Sequence, residues 1–324
     1  MKLHYATEQD LPDYLKSHQG HILGMVAFGR PLAVAPSPAL LQVDIHVLGE
    51  QDNSFEIWTS RETVSPFEDN GIVGSKDGDV LFGSLRVKQQ SGEQLEVLAE
   101  RGYKLIFGCI DQHGYRNLLR AWHYFPQIND AENGLERYRC FNIGRHEAFA
   151  ASGRGIGEEA VPAASALGSS GGPLVIYFLA AKQPGQAVEN PRQTSAYHYP
   201  VRFGPRSPVF SRAILAQLGT QQCFFISGTA SIVGYETMHH GDVEKQTRET
   251  LLNIRALLEQ VPHYDAGKLL LKAYLRHADD LVRVRDLIEA ELGAGCNTVY
   301  LHSDICRSDL LIEIESAYFN DIEP

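Results

Sequence analysis

The first 90 residues pair short apolar runs with turn-forming residues. This pattern predicts strands at Ile22–Phe28, Leu41–Val47, Phe55–Thr59 and Val80–Val87. The period then changes. Over 93–112, Leu95, Leu98, Tyr103, Ile106 and Ile110 fall at helical spacing with no proline among them. Asn117–Tyr124 reads as a strand and 135–150 as a second helix. Leu174–Leu179 is a continuous apolar run, the pattern of a buried strand.

Residues 183–207 break the rhythm. QPGQAVENPRQTSAYHYPVRFGPRS is rich in proline, glycine and polar side chains and reads as a long connection. Connections of this length in compact proteins are usually functional or disordered, and this one carries three aromatics and three arginines. Beyond it come strands at Phe210–Ala216 and Cys223–Val233, then a helix at Val243–Gln260 with Val243, Leu251, Ile254 and Leu258 on one face. A strand at Leu269–Tyr274, a helix at Asp279–Leu292 and strands at Thr298–His302 and Leu310–Tyr318 complete the order β-β-α-β-α-β-β. That is an α+β unit with helices on one side of a sheet. Strand 80–87, helix 93–112, strand 117–124, helix 135–150 and strand 174–179 repeat part of this order, which implies a duplication.

Composition narrows the function classes. The 324 residues allow two domains at about 100–200 residues each. The net charge of −11, from 29 basic and 40 acidic residues, argues against nucleic acid or an anionic membrane as the partner. A local arginine cluster would still hold a small anion. The five cysteines have no CxxC spacing, so neither a disulfide framework nor a structural zinc site is expected. His198, His239 and His240 lack acidic partners at ligand spacing, and GSSGG at 168–172 lacks the GK[ST] of a phosphate loop. The N-terminus has no signal-peptide pattern and no apolar run approaches a membrane helix. The expectation is a cytoplasmic protein with no metal and no cofactor.

Residues 223–317 resemble a RidA/YjgF-type domain through CFFISGTASIVG, EKQTRETLLNIRALLEQ and LLIEIESA. YHYPVRFGPRSPVFSRA at 197–213 and LHSDICRSDLLIEIE at 301–315 narrow the resemblance to the chorismatases, as do RAWHYFPQIN at 120–129 and RYRCFNIGRHEAF at 137–149. The resemblance implies two RidA-like halves packed as a pseudo-trimer. They would divide as 1–182, with a β-rich N-terminal extension, and 183–324, preceded by an active-site loop at 183–213. A pseudo-trimer folded from one chain is expected to be a monomer. The implied activity is conversion of chorismate to pyruvate plus 3-hydroxybenzoate, 4-hydroxybenzoate or both. A hydrolytic variant giving a dihydroxycyclohexadiene carboxylate, and an imine deaminase or ligand-binding module of RidA type, are the alternatives.

Chorismate has two carboxylates and an enol ether, so cleaving it calls for an acid and anion clamps. Period-2 alternation in LLIEIES puts Leu311, Glu313 and Glu315 on one strand face, which by pattern alone reads as solvated. The resemblance singles out Glu313, the first glutamate of E-I-E, as the proton donor and leaves Glu315 on a solvated face. Arg202, Arg206 and Arg212 are either carboxylate clamps, through paired hydrogen bonds from a planar guanidinium, or a solvent-exposed basic loop. Tyr199 is a candidate donor to a carboxylate or ring hydroxyl, or a packed loop aromatic. Gly228 either lets backbone approach the ligand or marks a β-bulge. Arg276 ends LLLKAYLR and either faces the cleft or lies on the surface. Cys306, seven residues before Glu313, reads alone as a small buried hydrophobe. The resemblance makes it the product-determining residue, cysteine marking the hydroxybenzoate-forming type and alanine the hydrolytic type.

Overall fold

The structure, a computed structural model, describes residues 1–32, 40–157, 161–261, 265–294 and 296–321. Three mixed or antiparallel sheets account for most of it. The first holds β1 (Lys2–Ala6), β2 (Ile22–Gly29), β3 (Leu40–Val43) and β5 (Asn53–Thr59), with helix α1 (Leu11–Ser17) beside it, in the order β1-β5-β2-β3. The run expected as one strand over 41–47 is broken after Val43, and its end, β4 (His46–Val47), pairs with the third sheet.

The second sheet contains β6 (Ser65–Asp69), β7 (Ile72–Lys76), β8 (Val80–Val87), β9 (Asn117–Pro126), β12 (Ala163–Ser169) and β13 (Leu174–Ala181). Helices α2 (Leu95–His113) and α3 (Arg137–Ala151) cover it. The helix expected from residue 135 starts at 137, because β10 (Ala131–Glu132) and β11 (Leu135–Glu136) first make a small hairpin. The third sheet contains β14 (Gln186–Val188), β15 (Ala213–Leu218), β16 (Gln221–Ala230), β19 (Leu270–Leu275), β20 (Asn297–His302) and β21 (Ile312–Asp321). Helices α4 (Val243–Leu258) and α5 (Leu281–Leu292) cover it, and β17 (Ile232–Val233) and β18 (Glu236–Thr237) form a side hairpin. Asp242 caps α4, its side chain accepting from Lys245 N.

The duplication is present in the topology. In the second sheet β7-β8-β13-β9-β12 run in that spatial order, with β9 and β12 parallel. In the third, β15-β16-β21-β19-β20 do the same, with β19 and β20 parallel. Both units follow the expected β-β-α-β-α-β-β chain order. Within these two units, β7 and β12 are the strands that the sequence pattern does not show. β12, AASALGS, is built of small residues and is almost wholly buried, so no alternation betrays it.

The three sheets turn one face toward a shared core, the arrangement of a pseudo-trimer. Phe28 and Trp58 come from the first sheet, Trp122 and Tyr177 from the second, Phe225 and Tyr274 from the third. The helices pack on the outer faces. The middle strand of each repeated unit is therefore buried on both sides. In β21, Ile312, Ile314 and Tyr318 face the helices while Glu313, Glu315 and Ala317 lie on the opposite side. The expectation that Glu315 lies on a solvated face is corrected here: its exposure is 3%, because the face that alternation assigns to polar residues is covered by the other sheets. Among the described residues no helix is long and apolar enough to cross a membrane.

Candidate active site

A cavity of about 280 Å³ opens where the units of the second and third sheets meet. Its walls come from α3 (Tyr138), the 196–212 connection (Tyr199, Phe203, Arg212), β16 (Gly228) and the 303–311 loop with β21 (Cys306, Glu313). A smaller recess of about 30 Å³ continues inward past Glu313 to Ser165 and Arg145.

Glu313 sits at the junction of the two spaces. It is 3% exposed, and Cys306 Sγ lies 3.8 Å from its Oε2. Burial pushes its carboxyl up to about 8, the charge of Glu315 adds to the rise, and Arg120 and the Cys306 thiol only partly oppose it. A carboxylic acid that keeps its proton at neutral pH is able to give it away. Cys306 shows the reciprocal effect: burial and then Glu313 push its thiol well up, so it is a neutral donor rather than a thiolate.

Gly228 marks a bulge and brings backbone close to the Glu313 carboxyl. The β16–β21 register shifts between Ile226 and Thr229, so a bulge is present. A Cβ at this position would stand 1.9 Å from Glu313 Oε1. Only glycine leaves room for the carboxyl there.

Arg212 is 4% exposed; its Nη2 donates to Thr194 O at 2.6 Å and Tyr199 Oη at 2.8 Å, and its Nε has no hydrogen-bond partner. Tyr199 thus holds the guanidinium in place from the cavity wall. Arg202, Arg206 and Arg276 do not line the cavity. Arg202 pairs with Glu236 and lies over the Tyr235 ring. Arg206 Nε donates to Glu147 Oε1 on α3 at 2.9 Å. Both are exposed. Arg276 is spent on structure, donating to the carbonyls of Leu310, Ile305 and Arg307 and so tying down the loop that carries Cys306.

Arg145 was not singled out from the sequence. It is 1% exposed, and its guanidinium touches the Asn142 amide (2.9 Å) and the Phe141 and Phe210 rings rather than a carboxylate. Its Nε has no hydrogen-bond partner. A buried cation left in this state is costly unless an anion completes it. The signal was available in RYRCFNIGRHEAF: Phe141, Arg145, Ala148 and Phe149 share one helical face, so the arginine falls on the apolar side. Arg307, also in the wall, stacks on Phe203 and Tyr199 and donates to Tyr235 O.

A separate group lies on the outer side of the second sheet, where Asp69, Cys109 and His113 bring ligand atoms within 4.8 Å of one another. There the Lys76 ammonium stands 2.8 Å from His113 Nδ1, so that nitrogen accepts and Nε2 carries the ring proton toward Asp69. The ring's lone pair is already engaged.

Known proteins share this architecture. Residues 56–180 match the family described as "Chorismatase FkbO/Hyg5-like, N-terminal". The chain is 35% identical to a 3-hydroxybenzoate synthase of Streptomyces hygroscopicus, over 91% of each chain. It is 38% identical to a chorismatase of Streptomyces rapamycinicus, over 84% of each. The crystal structure of a chorismatase superposes with a TM-score of 0.86 at 31% identity, covering 98% of both chains.

Proposed function

This chain belongs to the chorismatase family, and from that we propose that it converts chorismate to pyruvate and 3-hydroxybenzoate, 4-hydroxybenzoate or both. The observation that carries the reading is a buried carboxyl that holds its proton up to about pH 8, in a cavity flanked by two buried arginines with open donors. A dianion with an acid-labile enol ether needs that combination.

In this reading Glu313 gives its proton to the terminal methylene of the enolpyruvyl group, and positive charge develops on the ether carbon. Arg145 and Arg212, the latter with Tyr199, take the two carboxylates and set the methylene against the acid. Burial strengthens these contacts. A ring hydroxyl then displaces the ether oxygen, pyruvate leaves, and the ring loses a proton as it becomes aromatic. The two products together have the composition of chorismate, so no water is consumed and the proton lost by Glu313 is recovered. In this reading Cys306 shuttles that proton and sets which product forms, supported by its contact as a neutral thiol with Glu313.

Incubation with chorismate, with pyruvate assayed and aromatic products separated by chromatography, tests this. Pyruvate and hydroxybenzoate in equal amounts are expected, and absence of pyruvate would refute the reading. Oxygen-18 from solvent in pyruvate, with a diene diol as partner, would instead indicate the hydrolytic route. Cys306→Ala is expected to move product toward that diol.

A further inference from the structure

Behind Glu313, where the three sheets meet, lies a set of buried charges that the reaction does not consume. Glu315 accepts from Arg120 Nη2 at 2.8 Å, Trp122 Nε1 at 2.7 Å and Lys272 Nζ at 2.7 Å, and Ser165 Oγ–H donates to its second oxygen. Lys272 also pairs with Glu56 Oε2 at 2.6 Å and donates to Tyr177 Oη. Glu56 is held in turn by Trp58 Nε1 at 2.7 Å. All four charged side chains are 2% exposed or less except Glu315 at 3%. Two bases face two acids, so the set closes as neutral. Ser165 ties it to the site: Gly228 N, beside the Glu313 carboxyl, donates to the same hydroxyl at 3.0 Å.

We propose that Glu315, locked by Arg120, Lys272 and Ser165, is a positioning residue for Glu313: it occupies Arg120, the cation that would otherwise pair with the acid. The proposal rests on the chorismatase reading for Glu313 and concerns how the acid is kept ready. Geometry supports it. Glu313 and Glu315 project from the same face of β21, and Arg120 is close enough to act on both. Burial alone would raise the Glu315 carboxyl, but Lys272 and Arg120 outweigh it and hold it below the ordinary range. The other titratable or charged groups around Glu313 come from several elements: Tyr138 and Arg145 on α3, Tyr274 on β19, Arg212 before β15, and Cys306. None of these makes a salt bridge with Glu313 among the described residues.

Removing one charge from the set must then move Glu313 in a direction fixed by sign. Glu315→Gln leaves the set net positive; Lys272→Met leaves it net negative; the double variant restores neutrality. The measurements are kcat against pH with chorismate, and an infrared titration of the Glu313 carboxyl without substrate, its band identified by loss in Glu313→Gln. Glu315→Gln is expected to move both midpoints acid-ward by about one pH unit, about a tenfold loss of rate on the alkaline side. Lys272→Met is expected to move them the other way, and the double variant to return them. Should Glu315→Gln not fold, Glu56→Gln leaves the same net charge one residue further off and is expected to give a smaller acid-ward shift. Unmoved midpoints in the folded single variants, or a double variant that fails to return, would overturn the proposal. If the unaltered protein released no pyruvate, the chorismatase reading would fail, and the infrared titration would still decide the charge effect.

Discussion

The two repeated units place equivalent strands in equivalent positions and use them differently. β13 sends Val175, Tyr177, Leu179 and Ala181 into the shared core, whereas β21 sends Glu313, Glu315 and Ala317 in the same direction. Both strands are flanked on each side by a paired neighbour and are buried throughout most of their length. Topology therefore decides burial, and side-chain identity decides whether the buried face is ballast or chemistry. The unit of β13 is not idle: its α3 supplies Tyr138 and Arg145, its β9 Arg120 and its β12 Ser165. One unit contributes Glu313, Glu315 and Lys272, and the other contributes Arg120, Ser165, Tyr138 and Arg145 around them.

The sharpest way to break this contrast is to alter each strand in turn. Glu313→Gln is expected to lower kcat by about 10²–10⁴-fold, the range for loss of a general acid, with circular dichroism unchanged. Leu179→Ala on the twin strand is expected to cost about 2–5 kcal/mol in denaturant unfolding while kcat of the folded protein stays put. A kinetic loss there would mean that β13 also does chemistry. Arg145→Met, which keeps the bulk and removes the charge, is expected to raise KM by about ten- to a hundredfold, the value of a charge-assisted hydrogen bond; steady-state kinetics decides.

Stability gives an independent reading of the same carboxyl. The folded-state value of Glu313, about 8, lies above its ordinary 4.5. Its proton therefore stabilises the fold in full below pH 4.5, and that contribution is lost as pH rises toward 8. The loss amounts to roughly 1.4 kcal/mol per pH unit at most. Glu313→Gln escapes it, so thermal unfolding at pH 8 is expected to show the variant gaining on the parent relative to pH 5. The smallest effect is reserved for the exposed arginines. Arg202→Ala and Arg206→Ala are each expected to change kcat/KM by less than about threefold, as exposed ion pairs contribute little.

The sequence made the fold legible where period or length was distinctive. α2, α4 and the strand at Val80–Val87 were plain, and the repeat was visible in the order of elements. β12 was hidden because its small buried side chains leave no period to see. At the site, Glu313, Cys306, Gly228, Arg212 and Tyr199, named from the sequence, converge on one cavity. Arg202 and Arg206 do not, because a cluster along the chain says nothing of which acids lie across the fold. Glu315 was misplaced for a related reason. Alternation separates two faces of a strand but cannot say that both are covered. A signal did exist for its partners: Glu56 in NSFEIWT and Lys272 in LLKAYL are lone charges inside apolar strands, and such charges need one another.

The origin of those partners has a further consequence. Glu56 comes from the first sheet, Arg120 from the second, and Lys272 with Glu315 from the third. A ring of three identical subunits must repeat any side chain near its axis three times, so an acid there would meet two copies of itself. Joining three unequal sheets in one chain lifts that restriction. Acid can be set against base at the meeting point, and a single strand is free to carry buried carboxyls that its twin β13 lacks.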